Sequence, residues 1–249
     1  VDHPTALSKF LTDFNSIQGP KILVHGGGKI ATELSKKMDI APVMIDGRRV
    51  TDAETLKIVT MVYGGLINKN IVAQLQALGT DAIGLTGADG NIILSHKRDH
   101  PTIDFGYVGD IDRINGSKIN SLLLLGFTPI FAPLTHDLKG NILNTNADTV
   151  ASEIAIAMSH FFNVQFFYCF EKKGLLLDIE DGNSFIKHIS IQEIEPLKAN
   201  GTIVAGMIPK VDNISNAIKK GVQQVRLCHA EDISAILNQS LSLGTLFTK

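Results

Sequence analysis

The sequence has few cysteines, no long apolar run and no excess of charge of either sign, and each absence excludes a class of protein. Only two cysteines occur, Cys169 and Cys228, far apart along the chain. Zinc sites and redox motifs need thiols at close spacing, which this sequence does not offer. We therefore expect two buried free thiols and no metal site built from protein side chains.

The apolar stretches are short and the charges balance. The longest apolar runs, such as residues 164–170, fall far short of the roughly 20 residues that cross a bilayer. Lys and Arg number 23 against 25 Asp and Glu, for a net charge of -2, so no strong positive field exists to hold a polyanion. We expect a cytoplasmic protein that binds neither membranes nor nucleic acid.

The chain is long and apolar enough to fold around a sizeable core. It has 249 residues, of which 44% are hydrophobic and 19% charged, which excludes a disordered protein. Short β-rich runs alternate with longer helical patterns, which predicts an α/β fold. We expect an open, mainly parallel sheet sandwiched between helices, in two lobes of one continuous sheet, 1–163 and 164–249.

The individual elements follow from apolar periodicity and from glycine and proline punctuation. A hairpin is predicted around Asp46 and Gly47. Thr51 is predicted to cap a long helix, with Glu54 completing a capping box, and this helix would bend near Gly64 and Gly65. Strands are predicted at 21–25, 82–85, 91–96, 128–132, 141–144, 164–170, 223–228 and 245–247, and helices at 5–14, 29–38, 117–125, 147–162, 208–220 and 232–241.

The strongest local motif is a run of three glycines between a strand and a helix, His25 to Lys29. Glycine N–H groups can approach an anion closely, and the helix N-terminus adds a favourable dipole, so the loop could hold a phosphate. A glycine-rich tight turn without a ligand is the alternative. Both interpretations remain open from this motif alone.

Three named motifs can be compared with the same letters. A Walker A loop fails because Ile30, and not Ser or Thr, follows Lys29. A lipase oxyanion loop fails because the sequence has no Gly-x-Ser-x-Gly elbow. The relaxed dinucleotide fingerprint fits at Gly26, Gly28 and Ala31, so a dinucleotide-dependent dehydrogenase remains a weak rival.

Two further clusters lie at predicted junctions of strands and helices. Asn144, Asn146 and Asp148 alternate and would point to one side if strand geometry persisted, where they could bind a polar ligand; helix capping is the alternative. Gly206 to Lys210 opens a helix, with Pro209 suited to its first turn. Lys210 could neutralise a bound anion there, or be a solvated surface lysine.

Taken together, four motifs in this order resemble the amino acid kinase family: His-Gly-Gly-Gly at 25–28, Gly-Arg-Arg-Val-Thr at 47–51, Asn-Thr-Asn-Ala-Asp at 144–148 and Gly-Met-Ile-Pro-Lys at 206–210. The resemblance spans essentially the whole chain and is nearest to the branch that phosphorylates N-acylglutamates. It implies an eight-stranded, mainly parallel sheet between helices. It also implies phosphoryl transfer from MgATP to a side-chain carboxylate, giving an acyl phosphate in arginine biosynthesis, by a homo-oligomer such as a dimer.

The same resemblance assigns roles to residues. The N-terminal lobe would bind the acylglutamate and the C-terminal lobe the nucleotide. Substrate binding falls to Gly27, Gly28, Arg49, Asn144 and Asn146, catalysis to Asp148 and Lys210, and nucleotide binding to Gly26, Glu171, Lys172, Gly174 and Leu175.

The sequence departs from the family pattern in two places. The nucleotide loop usually reads Ser-Asp-Val-x-Gly-Leu, whereas residues 169–175 read Cys-Phe-Glu-Lys-Lys-Gly-Leu, so Glu171 replaces the expected Asp. The family also begins with a strand ending in Lys-x-Gly-Gly, and we expect the natural protein to carry such a strand before Val1. The alternatives left open are an amino acid kinase with another carboxylate, carbamate or phosphate substrate, and a non-catalytic nucleotide or amino acid sensor of the same fold.

Overall fold

The protein divides into two compact units in a computed structural model, residues 1–150 and residues 151–249. The structure describes residues 1–45, 48–178, 180–182, 184–203, 207–237 and 243–249. The division lies inside the helix Ala147–Met158, whereas the sequence places the lobe boundary after residue 163. The turn predicted at Asp46 and Gly47 lies outside the described residues.

The first unit contains five complete helices and most of the strands. The helices are α1 (Pro4–Ser16), α2 (Gly28–Lys37), α3 (Ala53–Val59), α4 (Asn68–Ala77) and α5 (Gly116–Leu124), and α6 (Ala147–Met158) begins in this unit. The strands are β1 (Leu23–Val24), β2 (Met44–Ile45), β3 (Arg48–Arg49), β4 (Ala82–Leu85), β5 (Ile93–Lys97), β6 (Gly109–Ile114), β7 (Thr128–Phe131), β8 (Leu134–His136) and β9 (Ile142–Asn144).

The central sheet of this unit is parallel throughout, in the order β1-β7-β4. All four residues of its middle strand, β7, are buried, as expected for a strand of a parallel sheet covered on both faces. The core beside it includes Leu11 of α1, Ile58 of α3 and Leu75 of α4. Burying these apolar side chains is the main favourable term that holds the helices on the sheet.

The remaining strands of the first unit depart from the parallel pattern. A second sheet has the order β6-β5-β8-β9, in which β5 with β6 and β8 with β9 are antiparallel. Strands β2 and β3 form an antiparallel pair on either side of the predicted hairpin turn. Strands β6 and β8 are not among the strands that the sequence predicts.

The second unit has one described sheet. Its strands are β10 (Gln165–Phe170), β11 (His188–Ser190), β12 (Gln224–His229) and β13 (Thr245–Thr248), in the order β10-β12-β13-β11. Strands β10 and β12 are parallel, as are β11 and β13, and β12 and β13 are antiparallel. Helices α7 (Ile194–Ala199), α8 (Ile208–Lys219) and α9 (Ile233–Leu237) complete the unit, and Val211, Val225 and Phe247 lie in its core.

The helix that begins after Thr51 shows how local sequence determines structure here. Asp52, and not Thr51, is the N-cap: its side chain accepts a hydrogen bond from the Thr55 N–H at 2.7 Å. The predicted Thr51 cap is therefore wrong. Residues Thr60–Ile67, which include both glycines, form a π-helical segment between α3 and α4, so regular α-helical bonding is interrupted where the sequence predicts a break or a bend.

The predicted α/β class with mainly parallel strands and flanking helices is confirmed. The prediction of one continuous sheet is wrong for the described strands, which form four separate sheets. None of the described helices combines the length and the apolar character of a membrane span.

The two cysteines, distant in sequence, face each other across parallel strands. Cys169 of β10 is in register with Cys228 of β12, with 4.0 Å between their sulfur atoms. Both are free thiols, Cys228 buried and Cys169 partly buried. The Cys169 side chain and burial raise the pKa of the Cys228 thiol, which keeps it protonated and unreactive at neutral pH.

Candidate active site

The glycine loop joins β1 to α2 as the sequence predicts. The His25 N–H donates to the Phe131 carbonyl of β7 at 3.1 Å, which extends the pairing of β1 to the edge of the loop. Gly27 is the N-cap of α2 and provides no capping side chain. The first N–H groups of a helix have no acceptor within the helix, so backbone donors and the helix dipole favour an anion here.

Close packing against the π-helical segment requires glycine at position 27. A Cβ atom at Gly27 would lie 2.3 Å from Cδ1 of Ile67 and 3.0 Å from Cδ1 of Tyr63. Real Cβ atoms do not approach carbon this closely, so a larger residue would force the buried Ile67 side chain to move, or the loop and the π-helical segment to separate. The loop conformation and the π-helical segment therefore depend on each other.

His25, at the start of the loop, is buried and hydrogen-bonded through both ring nitrogens. Its side chain is 5% exposed. Nδ1 lies 2.8 Å from the Gly26 carbonyl oxygen, and Nε2 lies 3.2 Å from Nδ2 of Asn68, the first residue of α4. Burial lowers the pKa of His25 to about 4, so the imidazole is neutral near pH 7.

Arg49 reaches the glycine loop from β3. Its Nη2 donates to the Gly28 carbonyl at 3.1 Å and to Oγ1 of Thr32 at 2.7 Å. Its Nη1 is buried without a hydrogen-bond partner among the described residues. Burial also raises the pKa of nearby Tyr63, and the charge of Arg49 and a side-chain hydrogen bond from Arg49 partly oppose that rise. A buried guanidinium N–H without an acceptor is costly, and a carboxylate would satisfy it.

Asn144 is connected to Arg49 through Thr51. Nδ2 of Asn144, the last residue of β9, donates to Oγ1 of Thr51 at 2.9 Å, and that oxygen lies 3.4 Å from the Arg49 carbonyl. Thr51 is fully buried and Asn144 is 9% exposed. Hydrogen bonds therefore connect Gly28, Arg49 and Asn144 through Thr51, and the substrate-binding roles of these residues stay predictions.

The other two polar residues of this motif lie at the start of α6 and not in a strand. Strand β9 ends at Asn144 and α6 begins at Ala147, so strand alternation does not extend to Asp148. Oδ1 of Asn146 accepts the Thr149 N–H at 3.0 Å, which is the capping role given above as the alternative. Asp148 lies half-buried in the first turn of α6. The substrate role of Asn146 and the catalytic role of Asp148 stay predictions.

The residues predicted to bind nucleotide follow β10 in the second unit. Glu171 and Lys172 are exposed, and Gly174 and Leu175 are buried. A Cβ at Gly174 would lie 2.6 Å from Oγ1 of Thr245, the atom that accepts the Leu175 N–H at 2.8 Å. Thr245 therefore fixes the backbone of this loop, and the Leu175 side chain belongs to the core of the unit.

Lys210 lies in the first turn of α8, as the sequence predicts. The helix starts at Ile208 with Pro209 in its first turn and has no capping side chain. Nζ of Lys210 lies 5.8 Å from the centre of the Tyr168 ring of β10, within the range of a cation–π contact. Gly206 of the same motif lies outside the described residues.

Three residues that build the first unit's part of the site escaped the sequence analysis: Thr51 as a link, Tyr63 and Asn68. All three are buried. Tyr63 and Asn68 occur in a stretch whose apolar period indicates only a helix, so no local signal distinguishes them. For Thr51 the sequence does hold a signal. A helix needs one capping side chain, so with Asp52 as the cap the adjacent Thr51 hydroxyl is available for another contact.

Comparison with known proteins identifies the family. The amino acid kinase family model matches residues 2–229. A protein of Cytophaga hutchinsonii named acetylglutamate kinase is 56% identical over 98% of this chain and 93% of the relative. One of the same name from Phocaeicola vulgatus is 52% identical over 94% and 91%.

A solved structure extends the likeness to the fold. The crystal structure of smu.665 from Streptococcus mutans UA159 is 26% identical, with a TM-score of 0.76 over 99% of this chain and 92% of that one. The match of sequence and fold thus runs along almost the entire chain, and the chain belongs to the amino acid kinase family.

Proposed function

We propose that this protein transfers the γ-phosphoryl group of ATP to the side-chain carboxylate of N-acetylglutamate, as an enzyme of arginine biosynthesis. Two relatives more than 50% identical carry the name acetylglutamate kinase. The observation that carries the proposal is the connected set Gly28, Arg49, Thr51 and Asn144, in which Nη1 of Arg49 is buried without a hydrogen-bond partner among the described residues.

Arg49 and Asn144, which belong to this connected set, each suit one part of an acylated amino acid. The planar guanidinium of Arg49 pairs with a carboxylate more specifically than an ammonium would, so it would bind the substrate's α-carboxylate. The amide of Asn144 would bind the acylamide group. The substrate's side-chain carboxylate would then face the glycine loop, with Gly27 and Gly28 N–H groups directed at the transferring phosphoryl group.

The proposed phosphoryl transfer depends on the positioning of the substrates and on positive charge more than on a general base. A carboxylate nucleophile is already ionised at pH 7, so the enzyme has no proton to remove. Phosphoryl transfer then depends on bringing two anions together and on stabilising the charge that spreads over the phosphoryl oxygens. We assign this stabilisation to the glycine N–H groups and Lys210, with Asp148 orienting cationic side chains.

The nucleotide and its ion complete the proposal. Glu171, Lys172, Gly174 and Leu175 of the loop after β10 would bind ATP, and Gly26 of the glycine loop is the other residue assigned to the nucleotide. Among the described residues no three metal-binding side chains cluster, and Mg²⁺ commonly reaches kinase sites held by substrate phosphates, water and one or two carboxylates. Mg²⁺ would bind here mainly through the phosphates of ATP and water, and it would neutralise phosphate charge. A homodimer remains part of the proposal.

The test is an assay of the full chain with MgATP and a panel of acceptors: N-acetylglutamate, N-succinylglutamate, N-acetylaspartate and carbamate. Hydroxylamine traps an acyl phosphate as a hydroxamate, so the product is identified by its chemistry as well as by ADP release. We expect hydroxamate with N-acetylglutamate at the highest kcat/KM. Hydroxamate with another carboxylate only, or transfer to carbamate only, would contradict the proposed substrate, and no transfer with any acceptor would favour a sensor.

A further inference from the structure

We infer that His25 is a positioning residue for phosphoryl transfer: held by Asn68, it fixes the peptide between Gly26 and Gly27 and so directs the Gly27 N–H. The inference rests on the proposed function and adds to it a residue that touches neither substrate.

The first step is the orientation of the Asn68 amide. One terminal atom of this amide lies 2.9 Å from the Ile130 carbonyl oxygen of β7. A carbonyl oxygen can only accept, so the atom facing it must be the nitrogen, Nδ2. The other terminal atom, Oδ1, accepts from Nζ of Lys69 at 3.2 Å, which agrees with this orientation. Strand β7 therefore determines which way Asn68 points.

The second step is the tautomer of His25. Nδ2 of Asn68 has a second hydrogen, and Nε2 of His25 lies 3.2 Å away. Because Asn68 donates, Nε2 must accept and carries no proton. A neutral imidazole then has its single proton on Nδ1, which donates to the Gly26 carbonyl at 2.8 Å. Burial keeps the ring neutral at physiological pH.

The third step is the rigidity of the peptide unit. The carbonyl of Gly26 and the N–H of Gly27 belong to one planar trans peptide, so they point in opposite directions and rotate together. Three consecutive glycines have little conformational preference of their own. A hydrogen bond that holds the Gly26 oxygen therefore also directs the Gly27 N–H, one of the donors assigned to the phosphoryl group.

A role in packing alone is the competing explanation, and two neutral variants separate it from positioning. His25→Asn keeps an amide nitrogen where Nδ1 stands and can still donate to the Gly26 oxygen. His25→Gln places its amide near the position of Nε2 and loses that donor. Gln is closer to His in length. If the His25 side chain only filled space, the position would therefore tolerate Gln better than Asn.

The experiment measures kcat and KM of both variants in the full chain, together with the ring tautomer in the wild type by ¹H–¹⁵N spectra of ¹⁵N-histidine protein. Loss of one transition-state donor typically costs about 100-fold in rate. We expect kcat of His25→Asn to exceed that of His25→Gln by about tenfold or more, with each KM changed less than threefold. The wild-type ring should carry its proton on Nδ1.

Equal kcat values, a higher kcat for His25→Gln, or a wild-type proton on Nε2 would each overturn the inference. The tautomer does not depend on activity or on either variant folding, so it decides the hydrogen-bonding part by itself. A wild-type chain that phosphorylates no N-acylglutamate would count against the proposed function instead. An active wild type with the reverse order of variants would count against His25 alone.

Discussion

Acidification should destabilise this protein through His25, before most carboxylates become protonated. The pKa of His25 is lowered from 6.5 to about 4 in the folded chain, so between these values the unfolded chain binds more protons. The stabilising contribution is complete above pH 6.5 and is lost as pH falls towards 4. From pH 7 to pH 5 the free energy of unfolding should fall by about 2 kcal/mol from this residue.

Urea unfolding of the wild type and of His25→Asn at pH 7, 6 and 5 measures this contribution. Asn does not titrate, and the other histidines are common to both proteins, so their contributions cancel in the difference. The wild type should lose about 2 kcal/mol more than the variant between pH 7 and pH 5. Parallel loss of stability in the two proteins would refute a buried neutral His25, and so would an imidazole that titrates near 6.5 in the folded chain.

Three further substitutions test the site. Arg49→Lys keeps the charge but loses the planar fork, so KM for the acylglutamate should rise about tenfold or more while KM for ATP changes little; a change confined to ATP would place Arg49 at the wrong end of the site. Asp148→Asn should retain the fold, measured by thermal unfolding, and lower kcat by about 100-fold or more, whereas a residue that only caps α6 would tolerate Asn. Gly27→Ala should destabilise by about 1–3 kcal/mol, because its Cβ would lie 2.3 Å from Cδ1 of Ile67. Adding Ile67→Val, which removes that atom, should recover part of the loss in urea unfolding, and no recovery would show that the clash is elsewhere.

Much of the fold was accessible from the sequence because its signals are local. A short apolar strand, three glycines and a run of helix formers predict the β1, loop and α2 unit without knowledge of any distant residue. The β6 strand is different: Asp110, Asp112 and Arg113 interrupt its apolar pattern, and its stability comes from pairing with β5. Such a strand is visible only once its partner is known.

The residues of the candidate site likewise divide into those with a local sequence signal and those without one. Arg49 and Asn144 could be predicted because family motifs name them, and the structure joins them through Thr51. Asn68 and His25, which are in contact, lie 43 positions apart. The sequence around each residue holds no signal of this contact. Thr51 was misassigned because Thr and Asp are both good caps, and only the three-dimensional contact with Asn144 shows that Thr51 has another use.

The π-helical segment between α3 and α4 makes the type of helical turn a requirement of the site. The Asn68 N–H reaches back to the Tyr63 carbonyl, five residues earlier, where a regular α-helix would bond four residues earlier. Regular α-helical bonding over Thr60–Ile67 at the same length would turn the start of α4 and carry Asn68 away from His25, because a residue of an α-helix advances by about 100° and a residue of the wider π-helical turn by less. Substitutions on the exposed side of this segment, at Met61 or Leu66, would leave that register intact. Evolution in this stretch should therefore exchange residues freely at its surface while keeping its eight residues in π-helical turns.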